Sequence, residues 1–386
     1  MQEQGLDALV LAQPESILYA TGAFPGVATF WRRAGAAFVL VPADEEAPLA
    51  AIVGDLQESA FATQSGIADI RSHRIWVETG TYPDPDPSRP VRSPRPAQYD
   101  LSNSLDLLRD VLGERGLLNA RIGLELGFIP AADYPAFGAL PITWQDCTRL
   151  IERLRAIKAP LEIEHLRNAA EYARAGFTHL ARSIAVGMDA VSMTEIWKAA
   201  AFAEAERLCR PLPQSGWAYI AVAGDGFAPG GPARVGDLVK IDVGCVVSGY
   251  SSDGGRTVVL GSPHPDASRI YDALHRAFDT GFAMLRPGSS LADIYRVTAT
   301  RMWDLGFEIY GRGHFGHGVG SSIWSEEWPF ISAKSDAVVQ PGMVLAFETP
   351  WYIDGLGGFI IEDQVLITDT GCEVMAPLPR DLLQIS

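Results

Sequence analysis

Residues 236–257 read GDLVKIDVGCVVSGYSSDGGRT, and this stretch decides the fold of the second half of the chain. Its apolar, β-branched runs predict buried strands at residues 238–243 and 256–260. Asp242 lies at the end of the first run, and Asp253 lies just before the second. A carboxylate at the end of a buried strand is costly unless it is paired or binds a metal. The stretch therefore indicates a carboxylate site built on a sheet.

Three later segments add donors of the same kind. His317 lies in GHFGHGVG, Glu348 in LAFETPWY and Glu362 in GFIIEDQVL, and strands are predicted at residues 343–348 and 358–367. Each acid taken singly also fits a cap or a salt-bridge partner. Taken together, four carboxylates and one imidazole suit manganese, iron, cobalt or zinc. They are enough to hold two ions that share carboxylates and activate a water molecule.

The chain around these segments is predicted to form two or three domains, because 386 residues exceed the size of one hydrophobic core. Apolar runs at residues 6–12, 36–42, 50–53 and 120–126, with a helix at 101–113, predict an α/β domain with a mixed sheet. A long helical stretch follows residue 150, and two helices are predicted to meet at Pro160. The similar segments at residues 175–177 and 280–282 weakly suggest an internal repeat.

Composition excludes several classes of protein. The formal net charge of −16 argues against sequence-independent binding of nucleic acid and against adhesion to anionic lipid. No apolar run reaches the length of a membrane span, and the N-terminus lacks the pattern of a signal peptide. Four scattered cysteines predict neither a disulfide framework nor a zinc cage, so the cytoplasm is the expected compartment. Residues 82–96, rich in proline, predict an extended loop.

The order and spacing of the acidic segments resemble the creatinase/prolidase superfamily, the pita-bread metallohydrolases that include Xaa-Pro aminopeptidases and prolidases. Residues 151–170, IERLRAIKAPLEIEHLRNAA, are similar to that family's helical bridge, and ESILYATGA at residues 15–23 is similar to its amino-terminal domain. The resemblance implies an α/β (α+β) chain with a creatinase-like mixed-sheet domain at 1–150. It also implies a pita-bread catalytic domain at 151–386.

The resemblance further implies a site and a cofactor. The family positions that match are the proposed ligands of two divalent ions: Asp242, Asp253, His317, Glu348 and Glu362. Asp253 and Glu362 would bridge the ions. Family members commonly form dimers, so a homodimer is expected.

Three departures from the family pattern predict a non-standard specificity. Trp324 stands where peptidases of the family carry a second histidine, and Ile360 stands where they carry an arginine. Residues 226–237, GFAPGGPARVGD, contain none of the family's histidines. The missing groups hold the substrate carboxylate or shuttle protons in proline-specific members. We therefore expect hydrolysis of an amide or related C–N bond in a short peptide or small molecule, and not necessarily an Xaa-Pro bond.

Other side chains are candidates to replace the missing groups. His314 is a candidate general acid or oxyanion donor, with packing in a glycine-rich loop as the alternative. Tyr352 is a candidate to orient a ligand or substrate, with core packing as the alternative. The candidates for substrate binding are a replacement acid or cation anchor, Glu326 or Glu327, and an aromatic wall of Trp324, Trp328 and Trp351.

Two other functions remain open at this point. The first is a lyase or creatinase-like enzyme on the same fold, since the superfamily contains members that act on creatine and on a sulfonium substrate. The second is a non-catalytic binding module, because the superfamily also contains histone-chaperone and growth-regulator domains. Such modules typically lose the ligands that this chain keeps, which favours an enzyme.

Overall fold

The first unit of the chain, Met1–Ile151, is built on a six-stranded sheet. The computed structural model describes residues 1–32, 37–78, 95–98, 100–322 and 326–385. The elements of this unit are, in chain order, β1 (Ala8–Leu11), α1 (Pro14–Thr21), α2 (Val27–Trp31), β2 (Ala37–Pro42), β3 (Ala50–Gly54), α3 (Glu58–Ser65), β4 (Asp69–His73), α4 (Ser102–Glu114), β5 (Arg121–Leu124), α5 (Tyr134–Gly138) and β6 (Thr143–Asp146).

The sheet of this unit is mixed, as predicted. Its order is β4-β3-β2-β1-β5-β6, with β2 antiparallel to both neighbours and the other three pairs parallel. The central strands are apolar and buried, which is why the sequence pattern predicted β1, β2, β3 and β5. The edge strands β4 (DIRSH) and β6 (TWQD) are polar and partly exposed, and the pattern missed them. Most of the predicted proline-rich loop, residues 82–94, lies outside the described residues.

The second unit, Glu152–Ser386, holds four long helices and a large sheet. Its helices, with α6 beginning just before the point of division, are α6 (Thr148–Ala156), α7 (Pro160–Ser183), α8 (Ala190–Arg207), α9 (Pro265–Phe282) and α10 (Leu291–Asp304). The prediction that two helices meet at Pro160 is confirmed: Pro160 is the first residue of α7, and Ala159 before it is extended. In the described part of the chain, no helix is long and apolar enough to span a membrane.

The large sheet runs in the order β10-β9-β11-β17-β14-β12-β13, with every neighbouring pair antiparallel. Short strands extend it at β9, β11 and β17, and β15 pairs with β16 in a separate hairpin. The strands of this unit are β7 (Ser215–Ala218), β8 (Ala221–Val222), β9 (Leu238–Val247), β10 (Tyr250–Ser251), β11 (Gly254–Leu260), β12 (His314–Gly318), β13 (Glu327–Ser332), β14 (Val344–Glu348), β15 (Trp351–Ile353), β16 (Gly357–Phe359), β17 (Ile361–Ile367), β18 (Cys372–Val374) and β19 (Leu383–Ile385).

The two similar segments lie in helices that each pack against the next helix, α7 against α8 and α9 against α10. Gly176 of α7 lies where α8 crosses it, so that a Cβ there would come within 2.7 Å of the Trp197 carbonyl oxygen. Gly281 of α9 lies in the same way against α10, where a Cβ would come within 2.1 Å of Thr298 Oγ1. Both glycines therefore allow a close approach of two helices, a shared physical reason for the similar segments.

Candidate metal centre

Four positions on adjacent strands of the large sheet form one cross-strand row. Asp242 on β9 is the partner of Gly255 on β11, which is the partner of Glu362 on β17. Glu362 is in turn the partner of Glu348 on β14. Residues directly opposite one another in an antiparallel pair point to the same face, with Cβ atoms about 5 Å apart. The register of the sheet therefore brings three of the predicted ligands to one face.

The other two predicted ligands lie beside this row. His317 on β12 is the partner of Ala346, two residues before Glu348 on β14, and so shares the same face. Asp253 lies two residues before Gly255, and its Oδ2 atom is 3.5 Å from His317 Nε2. One ligand atom from each of Asp253, His317 and Glu362 falls within 4.8 Å of the others, and all three residues are buried. The spacing suits a shared metal ion.

A cavity of about 390 Å³ opens onto this cluster. All five predicted ligands line it, so the sequence segments that are far apart in the chain meet at one place. The remaining lining residues are two cations, one acid and four aromatic residues: Lys240, Arg312, Glu326, Trp217, Tyr219, Phe227 and Tyr352.

The electrostatics of the cluster favour a bound cation. Burial raises the pKa of Glu362 well above its usual range, and the nearby carboxylates of Asp253, Asp242 and Glu348 raise it further. Burial also raises the pKa of Asp242, although the Lys240 ammonium opposes this effect. Glu362 Oε2 is buried and has no hydrogen-bond partner among the residues that the structure describes. Crowded, desolvated carboxylates of this kind fit a divalent metal ion.

Gly255 provides the space between two of the carboxylates. It is the only position of the cross-strand row that carries no side chain, and it separates Asp242 from Glu362. A Cβ at Gly255 would lie 2.6 Å from Ile360 Cδ1 and 3.1 Å from Glu362 Oε2. A side chain at position 255 would therefore occupy space between the proposed ligand atoms.

Sequence reasoning missed the two cations of the pocket. Arg312 donates from Nη2 to Glu348 Oε1 at 2.7 Å and from Nε to the His314 carbonyl oxygen at 2.8 Å. Lys240 points its Nζ atom at Asp242 Oδ2, 3.3 Å away, and its side chain is 3% exposed. Strand alternation could have found Lys240, because it lies two residues before Asp242 and so shares its face. No pattern in the sequence marks Arg312.

His314, a predicted catalytic residue, lies at the start of β12 beside the cluster but is not among the lining residues of the cavity. Its Nδ1 atom accepts a hydrogen bond from the Gly316 amide at 3.3 Å and lies 3.7 Å from Glu348 Oε1. Burial lowers the pKa of the imidazole. A neutral ring that accepts at Nδ1 carries its proton at Nε2.

Tyr352 and Glu326, two further predicted residues, do line the cavity. The Tyr352 ring lies 5.4 Å from Lys240 Nζ and packs edge-on against Phe227 at 5.7 Å between ring centroids. Burial, followed by the neighbouring Glu348 carboxylate, raises the pKa of Tyr352 to about 12. The tyrosine is therefore a neutral hydroxyl at the mouth of the pocket.

Glu327 lies outside the pocket, contrary to its predicted role in substrate binding. Its carboxylate accepts from Arg155 Nη2 at 2.6 Å and from Lys158 Nζ at 2.7 Å. All three side chains are at least nine-tenths buried. Arg155 also donates to the Ser321 carbonyl oxygen. The arrangement is a buried ion group that connects α6 and the link between α6 and α7 to β13.

The aromatic lining also differs from the prediction. Trp351 packs against Phe307 and Tyr310 in the core, with ring centroids 5.6 and 5.0 Å apart, and Trp328 packs against the same core. Trp324 lies outside the described residues. The aromatic residues that line the cavity are instead Trp217, Tyr219, Phe227 and Tyr352. Tryptophans between apolar residues carry no signal that separates a core position from a pocket wall.

The large sheet with its carboxylate-rich cavity has the pita-bread fold. Residues 164–369 match the model of metallopeptidase family M24, and residues 1–157 match the creatinase/prolidase N-terminal domain. The chain belongs to metallopeptidase family M24. It is accordingly a metal-dependent hydrolase with a divalent metal cofactor, and the predicted superfamily and fold class are confirmed.

Individual relatives show how far the similarity extends. The probable dipeptidase PepE of Mycobacterium tuberculosis (strain H37Rv) is 30% identical over 271 residues, or 67% of this chain and 68% of the relative. The Xaa-Pro dipeptidase of Pyrococcus furiosus is 37% identical over 148 residues, or 38% of this chain and 42% of the relative. The crystal structure of the prolidase from Pyrococcus horikoshii OT3 matches with a TM-score of 0.79 at 22% identity, covering 99% of this chain and 97% of that one.

Proposed function

We propose that this chain is a dinuclear-metal-dependent hydrolase that cleaves an amide bond in a short peptide or small molecule, with a specificity unlike that of a standard Xaa-Pro peptidase. The observation that carries the proposal is the convergence of Asp242, Glu362 and Glu348 in one cross-strand row beside Asp253 and His317. Relatives named Xaa-Pro dipeptidase and dipeptidase support a peptide substrate.

The position of Glu362 supports two ions rather than one. Its carboxylate lies within the Asp253–His317 group on one side and beside its row partner Glu348 on the other. A carboxylate in that central place would have one oxygen for each of two ions. The donor set of oxygens and one nitrogen suits manganese, iron, cobalt or zinc. When bound, the ions would polarise the scissile carbonyl and activate water for attack.

The protein's own side chains then position and protonate the substrate. His314, whose Nδ1 atom lies 3.7 Å from Glu348 Oε1, is the candidate general acid that would protonate the leaving amine. Arg312 donates a hydrogen bond to Glu348 Oε1, and this bond sets the orientation of the whole carboxylate, including its other oxygen. Tyr352 supplies a neutral hydroxyl that orients the substrate at the pocket mouth, and Glu326 is a polar group on the same lining.

The aromatic lining supports an altered specificity. Phe227 is 76% exposed in the segment where family peptidases carry a histidine, and its amide is fixed by Asp225 Oδ1 at 2.8 Å. Trp217 and Tyr219 line the same cavity, with their ring centroids 5.4 Å apart. These rings favour an apolar or cationic substrate side chain.

We further propose a homodimer and a domain boundary after residue 150.

Metal analysis combined with a substrate panel tests the proposal. Purified wild-type protein should bind about two transition ions per chain, and Glu362→Ala should lose metal and activity together. Among amides and short peptides, some should be hydrolysed faster than Ala-Pro and Gly-Pro. Retention of metal by Glu362→Ala would remove that residue from the ligand set. Turnover on Ala-Pro comparable to a proline peptidase would reject the altered specificity, and a metal-loaded protein without any amide hydrolysis would favour the lyase alternative.

A further inference from the structure

Lys240 is a buried ammonium in the wall of the pocket. Its side chain is 3% exposed, yet the residue lines the cavity beside Asp242, Glu362 and Tyr352. An ammonium group has three donors. The only acceptor within hydrogen-bond distance among the described residues is Asp242 Oδ2, at 3.3 Å. Lys240 therefore has donor capacity that the described residues do not use.

The second cation of the pocket is in a different situation. Arg312 donates to both Glu348 and the His314 carbonyl oxygen, at 2.7 and 2.8 Å. Its charge is thus already directed at a carboxylate within the site. Among the described residues Arg312 uses two of its five donors and pairs with a carboxylate at 2.7 Å, whereas Lys240 uses one of its three and lies 3.3 Å from its carboxylate partner.

The position of Lys240 in the sheet is also informative. Lys240 on β9 is the cross-strand partner of Thr257 on β11, and the Thr257 hydroxyl accepts a hydrogen bond from the Ile360 amide at 2.8 Å. Lys240 and Ile360 thus flank Thr257, each two residues before a carboxylate of the cluster, Asp242 or Glu362. Ile360 is apolar, so Lys240 supplies the positive charge at this level of the pocket.

Metal loading would strengthen the case for an anionic ligand. Two divalent ions would offset the four carboxylates of the proposed ligand set, and Lys240 and Arg312 would then exceed the remaining acid of the lining, Glu326, by one positive charge. Asp242, once it binds metal, is also a weaker partner for Lys240. A surplus of positive charge in a partly desolvated pocket attracts a carboxylate.

We propose that Lys240 binds the free carboxylate of the substrate and selects acids over the corresponding amides. The inference rests on the proposed hydrolase function and adds a specificity-determining residue to it. The aromatic rings of Tyr352 and Phe227 then enclose the apolar part of the same substrate residue. The rival explanation is purely structural: Lys240 only orients Asp242.

A comparison of acid and amide substrates separates the two explanations. Wild type, Lys240→Met and Lys240→Arg are assayed with Ala-Pro and with Ala-Pro amide, and the metal content of each protein is measured. Lys240→Met should lower kcat/KM for the acid by roughly 10- to 100-fold, with little change for the amide, because a charged hydrogen bond is lost. Lys240→Arg should restore part of the preference. The exposed lysine of α8 provides the control Lys198→Met, which should keep the wild-type ratio.

Binding measurements keep this test independent of turnover. Calorimetry of the metal-loaded wild type should show tighter binding of proline than of prolinamide, and Lys240→Met should abolish the difference. If no amide is hydrolysed but this difference is present, the proposed function fails while the role of Lys240 stands. An equal loss of activity on acid and amide, an unchanged ratio, or equal binding or no binding of the two probes would overturn the assignment.

Discussion

Glu348 and Glu362 lie directly opposite each other on the neighbouring strands β14 and β17. Two like charges in such a cross-strand pair repel each other and destabilise a sheet. Here both carboxylates are also buried, with exposed fractions of 7% and 3%. The pair is therefore unfavourable in the metal-free protein and becomes favourable when a cation lies between the two carboxylates.

Gly255→Ala should weaken metal binding. The new Cβ would lie 2.6 Å from Ile360 Cδ1 and 3.1 Å from Glu362 Oε2, so the carboxylate must shift from its place in the cross-strand row. We expect at least a 10-fold rise in the dissociation constant for metal, measured by competition with a chelator. The neighbouring Gly254→Ala is the matched control, because its Cβ would meet only the Glu362 carbonyl oxygen at 3.9 Å. Equal effects of the two substitutions would contradict this role of Gly255.

Arg312→Met should also weaken metal binding, although Arg312 is not a ligand. Without its guanidinium, Glu348 loses the hydrogen bond that fixes Oε1, and the partner of a metal ligand typically contributes about 10- to 100-fold in affinity. Titration of the metal-free protein with Mn²⁺ or Zn²⁺ measures the effect. Arg296→Met on α10 removes an exposed arginine paired with Asp293 and should leave the affinity unchanged. A wild-type affinity in Arg312→Met would show that Glu348 needs no such support.

His314→Ala should lower kcat and leave the metal content intact. A positioned general acid contributes about 10²- to 10⁴-fold, and the imidazole lies beside Glu348 without a place in the proposed ligand set. Steady-state kinetics and metal analysis of the same preparation measure the two quantities separately. His179→Ala, at an exposed position on α7, is the control for loss of a histidine. Unchanged turnover in His314→Ala would reject its catalytic role.

Glu327→Gln should destabilise the second unit strongly. The substitution would leave Arg155 and Lys158 buried without their counter-charge, at a cost of about 3–5 kcal/mol in the free energy of unfolding. Urea denaturation at pH 7, followed by circular dichroism, measures the change. Glu373→Gln, which breaks an exposed pair with Arg167, should cost less than about 1 kcal/mol.

The ion group of Glu327, Arg155 and Lys158 also determines the direction in which the free energy of unfolding changes with pH. Burial raises the pKa of Glu327, but the Lys158 and Arg155 cations outweigh that effect and hold it below the ordinary value of 4.5. A carboxyl whose pKa is depressed in the folded state stabilises the protein above its unfolded pKa, and the stabilisation is lost as the pH falls. The stability difference between wild type and Glu327→Gln should be constant from pH 7 to about 5 and shrink below it. A difference that grows on acidification would contradict the assignment.

The sequence predicted the elements that are apolar and buried and failed where polarity is mixed. The strands β9, β11, β14 and β17 came from continuous apolar runs, and the row of ligands is formed by them. In contrast, β12 (HFGHG) and β13 (EWPFIS) are strands because they pair with β14 and with each other, and their composition gives no periodic signal. Tertiary pairing decides such segments.

The same distinction applies to the site. The five proposed ligands could be named from the sequence because each matches a family segment, and the structure brings all five to one cavity. The difference between Glu326 and Glu327 could not be read from the sequence, since adjacent residues on a strand face opposite sides and the register was unknown. Arg312 and Phe227 lie outside the helices and strands, where the course of the chain is set by packing, so no local pattern predicted their place in the lining.

The cross-strand row has a consequence for how the sheet assembles. A slip of one residue between β14 and β17 would send Glu348 and Glu362 to opposite faces and dismantle the ligand set. The ligands come from strands that are distant in the chain, so they meet only after the non-local pairing is complete. An ion that binds this cluster would therefore recognise only the correctly registered sheet and stabilise it by mass action. The metal cofactor would thus also favour the correct register of β14 against β17 during folding.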